Sequence, residues 1–319
     1  MQTWNTFKKV KLLALLYGIL SVSSVSAQNL HHIVIESPQE LKDFFRYVPD
    51  RIPIISTHRG GSRPGYPENC IHTFENTLRH TWSILEIDPR YTQDSIMVLM
   101  HDATLDRTST GNGKVSDYTY AELQELRLKD SEGNRTPFKI PTLDETIIWA
   151  KGKTILIIDQ KDVPLEHTIR KIQEHRAQAW AAPIVYGGVE NIQKALAMEP
   201  DLVMEVMIPD VATLQKIEAA NIPLTNLIAF TTHTEAKDPT LYEQLHKRGI
   251  MAIRGSSRTI DRAFLKGEIS TRKELEERYR EMIVSGTDII EADLGIEAGN
   301  AIQPISPANS SKRKYFKKD

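Results

Sequence analysis

The chain has 319 residues, with 40 Lys or Arg against 42 Asp or Glu and a formal net charge of −2. That balance argues against a nucleic-acid partner, and a single cysteine, Cys70, excludes an internal disulfide. The length suffices for one large α/β barrel or two ordinary domains.

Residues 1–27 read as an export leader. Lys8, Lys9 and Lys11 form a basic start, Leu12 to Leu20 an apolar stretch, and Val25-Ser26-Ala27 a small-residue cleavage site before Gln28. The apolar stretch is short for a bilayer span, so a retained anchor is the lesser reading. No cysteine near the cleavage site offers a lipid attachment point, and no later stretch reads as a transmembrane helix. The expectation is a periplasmic or extracellular protein with no stable membrane insertion. Without the leader, 37 basic residues face 42 acidic ones, a formal charge of −5.

From residue 28 onward, short apolar runs alternate with helical stretches. The runs are Pro53–Thr57, Ile84–Asp88, Ile96–Met100, Thr154–Asp159, Pro183–Tyr186, Leu202–Met207, Leu227–Thr231, Met251–Ile253 and Asp288–Ala292. Nearly continuous apolar runs suit strands covered on both faces. Helices are expected over Leu165–Gln178, Val189–Met198, Val211–Ala220 and Thr271–Val284. The alternation predicts βα units around a parallel sheet.

Nine runs are one too many for an eightfold barrel. Only seven residues separate Asp88 from Ile96, whereas a parallel crossover needs roughly a dozen. Those two runs are therefore expected as a hairpin with its tip at Asp94-Ser95, which sets Asp88 opposite His101. Eight strands remain, and the count predicts an α/β fold of the (β/α)8 TIM-barrel type over residues 28–305. An open doubly wound sheet is the alternative. Residues 103–140 break the rhythm and read as a small insertion after the second strand. Residues 306–319, polar and basic, read as a disordered tail.

In such a barrel the chemistry sits at the C-terminal ends of the strands. The first strand runs into His58-Arg59-Gly60-Gly61, where two glycines let the backbone approach a ligand. The second ends in Glu86-Ile87-Asp88, whose two carboxylates fall on one side because strands alternate with period two. If that side is the lumen, they form a hard-oxygen site for Mg²⁺ or Ca²⁺. The hairpin returns His101-Asp102 beside them, and the third strand ends in Asp159-Gln160-Lys161. Each residue alone has an ordinary structural explanation. Two histidines, three carboxylates and an Arg/Lys pair converging on neighbouring strand ends do not, since buried together they need metal or mutual pairing.

The same residues carry a family resemblance. His58-Arg59-Gly60-Gly61, Pro67-Glu68-Asn69, Glu86-Ile87-Asp88, Asp94, His101-Asp102 and Leu105-Asp106-Arg107-Thr108 follow one another in an order that resembles the glycerophosphodiester phosphodiesterase signature. Pro141-Thr142-Leu143-Asp144-Glu145 resembles the family's helix opening, and Gly286–Asp293 its closing strand. The match is dense over residues 53–161 and sparse over 162–293. The chain departs from the pattern at Asp159, where Glu is usual, at Cys70 and Ala292, where Thr is usual, and in the seventh strand, Ala252-Ile253-Arg254-Gly255-Ser256.

The resemblance implies hydrolysis of a glycerophosphodiester, a small-molecule substrate, to glycerol 3-phosphate and an alcohol. It implies one divalent cation, Mg²⁺ or Ca²⁺, on Glu86, Asp88 and Asp159, with His58 and His101 as general acid and base. Arg59 and Lys161 would clamp phosphate oxygens. Glu68 and Asn69 would orient His58, support the metal indirectly, or hold the loop. The competing readings are a related barrel phosphodiesterase acting on intact lipids and a non-catalytic protein that captures phosphate ligands.

Overall fold

The computed structural model describes residues 29–318, apart from 236, 237 and 239. The expected export leader lies outside the described residues. Eight parallel strands close a barrel: β1 (Ile54–Thr57), β2 (Ser83–Ile87), β3 (Leu156–Ile158), β4 (Ala181–Val185), β5 (Met204–Met207), β6 (Leu227–Thr232), β7 (Ala252–Gly255) and β8 (Ile289–Ala292). They follow one another in chain order around the barrel, and β8 pairs with β1 to close it. The (β/α)8 expectation is met.

A helix follows every strand: α1 (Ile71–His80), α2 (Leu143–Ala150), α3 (Leu165–Glu174), α4 (Val189–Met198), α5 (Val211–Ala219), α6 (Leu241–Lys247), α7 (Arg272–Val284) and α8 (Gly295–Ile302). Their starts are set by local chemistry. Thr142 caps α2 and Glu145 reaches back to the Thr142 N–H, so two otherwise unpaired backbone donors are satisfied together. Asp210 caps α5 and Thr271 caps α7. The strands bury both faces, as their apolar runs require. β1, β2, β3, β4 and β8 are buried at every position.

The hairpin after β2 forms, but one residue out of the expected register. Pro89–Tyr91 pairs with Met97–Leu99, and the Met100 N–H donates to the Asp88 carbonyl at 2.8 Å. Asp88 therefore opposes Met100 rather than His101. The loop has three residues, Gln93 to Ser95, because Ser95 adopts a left-handed conformation (φ 62°) that absorbs the extra residue. Beyond it, the insertion packs a small core of its own from Leu105, Val115, Leu123, Leu128 and Ile140, resting on Val98 and Cys70.

The C-terminal segment corrects the expectation of a disordered tail. Phe316–Lys318 pairs antiparallel with His31–Ile33, and Tyr315 and Phe316 are buried. The Trp82 indole donates to the Lys317 carbonyl at 2.9 Å. Two adjacent aromatics and a strand edge suffice to dock a segment that is otherwise polar and basic. This contact covers the end of the barrel where the strands begin, opposite the strand ends that carry the histidines. No helix among the described residues is long and apolar enough to cross a membrane.

Candidate active site

The turn after β1 is built from three consecutive residues with positive φ: Arg59 (53°), Gly60 (79°) and Gly61 (86°). A side chain at Gly60 could not be accommodated, because a Cβ there would lie 2.2 Å from the Phe74 ring. The turn aims the Arg59 N–H at Glu86 Oε2, 2.9 Å away. It also presents His58 to the lumen, with Nδ1 bonded to Asp293 Oδ1 at 2.6 Å and Nε2 3.9 Å from Glu86 Oε2.

Glu86 and Asp88 at the end of β2 and Asp159 just after β3 bring one carboxylate oxygen each within 4.8 Å of the others, and all three residues are buried. Asn69, itself left-handed (φ 54°), donates to Asp88 Oδ2 at 2.6 Å and accepts from the Asp88 N–H at 3.0 Å. Lys161 lies 3.0 Å from Asp88 Oδ1 and also bonds Asp159. The Tyr186 hydroxyl donates to Asp159 Oδ1 at 2.7 Å.

His101 faces the same cavity from the hairpin. Its Nδ1 meets Asp102 Oδ1 at 2.8 Å, and Arg90 donates twice to its carbonyl, at 2.9 and 2.7 Å, fixing the backbone. Arg107 bridges Asp102 and Glu68, with two 2.8 Å bonds to the latter. Glu68 thus engages Arg107 and Arg59, which makes it a loop-holding residue rather than an orienter of His58. Asn69 acts on Asp88, not on a histidine.

The surroundings drive the two imidazoles apart. Burial alone would depress His58, but the Asp293 hydrogen bond and the charges of Glu86 and Glu291 outweigh it and push its pKa up to about 10. His101 goes the other way: burial pulls it below 6.5, outweighing the Asp102 bond. Near neutral pH one imidazole is therefore charged and the other neutral. Burial and the neighbouring Asp88 charge push Glu86 well up. Asp88 is held down against its burial by Lys161, Asn69 and Arg59.

All of the expected site residues converge on this strand-end region. Asp293, just past the closing strand, joins the site together with Tyr186, His233 and Arg258, none of which the sequence pattern singles out. Nor does it single out Glu205 and Glu291, although a carboxylate inside an apolar strand is a visible signal. Most of these groups line one cavity of about 490 Å³.

A family model for the glycerophosphoryl diester phosphodiesterase family matches residues 58–274. The chain belongs to this family. Among solved structures, a glycerophosphoryl diester phosphodiesterase from Parabacteroides distasonis is 42% identical, with a TM-score of 0.86 over 91% of this chain and 100% of that one. An Oleispira antarctica phosphodiesterase in complex with the product sn-glycerol-3-phosphate shares the fold at 21% identity, with a TM-score of 0.57 over 79% of this chain and 97% of that one. Human glycerophosphodiester phosphodiesterase 1 is 39% identical over 101 residues, 31% of this chain. The matched region spans only 30% of that human relative.

Proposed function

We propose that the chain hydrolyses glycerophosphodiesters to glycerol 3-phosphate and an alcohol. The observation that carries this reading is geometric: His58 and His101 line one cavity with a buried tri-carboxylate cluster. Family membership supports the same reaction.

The donor set fits a divalent cation. Three buried carboxylates crowd together, Asp88 Oδ1 has only Lys161 beside it among the described residues, and burial together with the Asp88 charge pushes the Glu86 carboxyl well up. Glu86, Asp88 and Asp159 would hold the ion, and all-oxygen ligation suits Mg²⁺ or Ca²⁺. When bound, the cation would stabilise charge developing on the phosphoryl oxygens.

The remaining roles belong to the chain. Arg59 and Lys161 are placed to meet the phosphate oxygens, and Lys161 is kept charged, despite its burial, by Asp88 and Asp159. Neutral His101 takes the proton of the attacking water as the new P–O bond forms. Charged His58 gives its Nε2 proton to the departing ester oxygen as the old P–O bond breaks. Asp293 holds the other ring nitrogen, which fixes the orientation and sustains the charge.

The test is glycerol 3-phosphate release from a panel of glycerophosphodiesters, with chelated protein resupplied with Mg²⁺ or Ca²⁺. Release that depends on the added cation supports the reading, and no release with either cation from any diester rejects it. The leader over residues 1–27 supports export to the periplasm or the medium, which cell fractionation tests.

A further inference from the structure

Glu205 sits within β5 at 1% exposure, and its Oε2 has no hydrogen-bond partner. It lines the catalytic cavity, as does Glu291 from β8 at 5% exposure. A buried carboxyl left without partners costs roughly 1–3 kcal/mol or more. Met204 and Val206, the strand neighbours of Glu205, point to the other face and offer it no partner. A group kept there at that cost is explained by donors that arrive with a ligand.

The chemistry of those donors can be narrowed. Glu205 and Glu291 line the cavity together with four cationic side chains, Arg59, Lys161, Arg258 and Arg262. A hydroxyl supplies the donor that the unpartnered Glu205 oxygen lacks without bringing charge into the cavity. An ammonium group would meet the like charges of those cationic side chains. A second chamber, of about 480 Å³, opens from His58, Arg59 and Asp293 toward the insertion, walled by Arg107 and Lys129. A phosphodiester has two arms, and two chambers meet at His58 and Arg59, beside where its phosphate would sit.

On the glycerophosphodiester reading above, we propose that Glu205 and Glu291 form a polyol-recognising floor that takes the two free hydroxyls of the glycerol arm, while the other ester arm occupies the chamber beside the insertion. These two residues thereby set specificity for a diol-bearing arm over an apolar or acylated one.

The test compares two ligands of equal charge and carbon number, glycerol 3-phosphate and n-propyl phosphate, by calorimetry on the full chain with Mg²⁺. A site built to bond hydroxyls rejects the analogue lacking them strongly, so the wild type should favour glycerol 3-phosphate on the order of a hundredfold. Glu205→Leu and Glu291→Leu should each cut that ratio at least about tenfold, whereas Glu205→Gln and Glu291→Gln should keep most of it. A wild-type ratio near one overturns the proposal, as do Leu variants that retain the full ratio. Tighter binding of 2-aminoethyl phosphate than of glycerol 3-phosphate overturns it in favour of an ammonium site. If the Leu variants fail to fold, the wild-type ratio alone still decides. Hydrolysis with a ratio near one rejects this proposal only, and a high ratio without hydrolysis of any diester rejects only the catalytic reading.

Discussion

Asn69 grips Asp88 twice, donating from Nδ2 to the carboxylate at 2.6 Å and accepting the Asp88 backbone N–H at 3.0 Å. The side chain is thereby aimed and its second oxygen left for other partners. Asn69→Asp retains a residue that tolerates the left-handed backbone but sets a carboxylate against a carboxylate. Metal affinity, read from the cation dependence of activity or by calorimetry, should fall about 10- to 100-fold, the usual cost of losing a group that orients a ligand. Unchanged affinity would show that Asn69 only holds its loop.

The opposite shifts of His58 and His101 set the pH profile. His101 must be neutral to act as base, so kcat/KM falls as pH drops through its pKa, which lies below 6.5. His58 must be charged to act as acid, so activity falls as pH rises through its pKa of about 10. Between these limits the profile should be flat. Asp293→Asn removes the negative partner of His58, and the basic limb should then move to lower pH by about one unit or more, with the acidic limb in place. A basic limb that stays put would remove Asp293 from the control of that proton.

His58→Ala and His101→Ala should each lower kcat by about a hundredfold or more, the range of general acid–base groups. Near-normal turnover in either variant removes that residue from the mechanism.

Asp159 places its carboxylate in the cluster from a side chain one methylene shorter than a Glu, with Tyr186 and Lys161 holding its oxygens. Mg²⁺ demands near-octahedral geometry at about 2.0–2.1 Å, while Ca²⁺ accepts looser coordination near 2.3–2.6 Å. Asp159→Glu should raise Mg²⁺-supported turnover relative to Ca²⁺. A preference that does not move shows that side-chain length does not set it.

At the opposite end of the barrel, Asp288 is fully buried and binds Arg51, His246 (2.9 Å) and the Ala252 N–H (2.7 Å). Asp288→Ala leaves those partners uncompensated and should cost about 3–5 kcal/mol in urea unfolding. A loss below about 1 kcal/mol would mean that solvent reaches the site and replaces the carboxylate.

What was legible in the sequence was local or periodic. Alternation put Glu86 and Asp88 on one side, and spacing identified the hairpin as the run to remove from the strand count. The helix expected over Val189–Met198 has those bounds, and Thr271 proved to be the cap of the helix expected from it. What was missed depended on closure or on a single backbone angle. Asp293 lies 235 residues from His58, and the two meet because β8 pairs with β1 with Ala292 opposite Thr57. No spacing rule links positions across that seam. The hairpin register turned on Ser95 entering the left-handed region, to which the sequence pattern was blind.

The pairing of His31–Ile33 with Phe316–Lys318 has a kinetic consequence. Its partners lie nearly the whole chain apart, so the loop it closes carries almost the largest entropy cost the molecule can pay. Until residues 316–318 have been synthesised, the early strand has no edge to join, and the floor of the barrel stays uncovered. A chain shortened before Phe316 should therefore lack this cover over the strand-start end of the barrel.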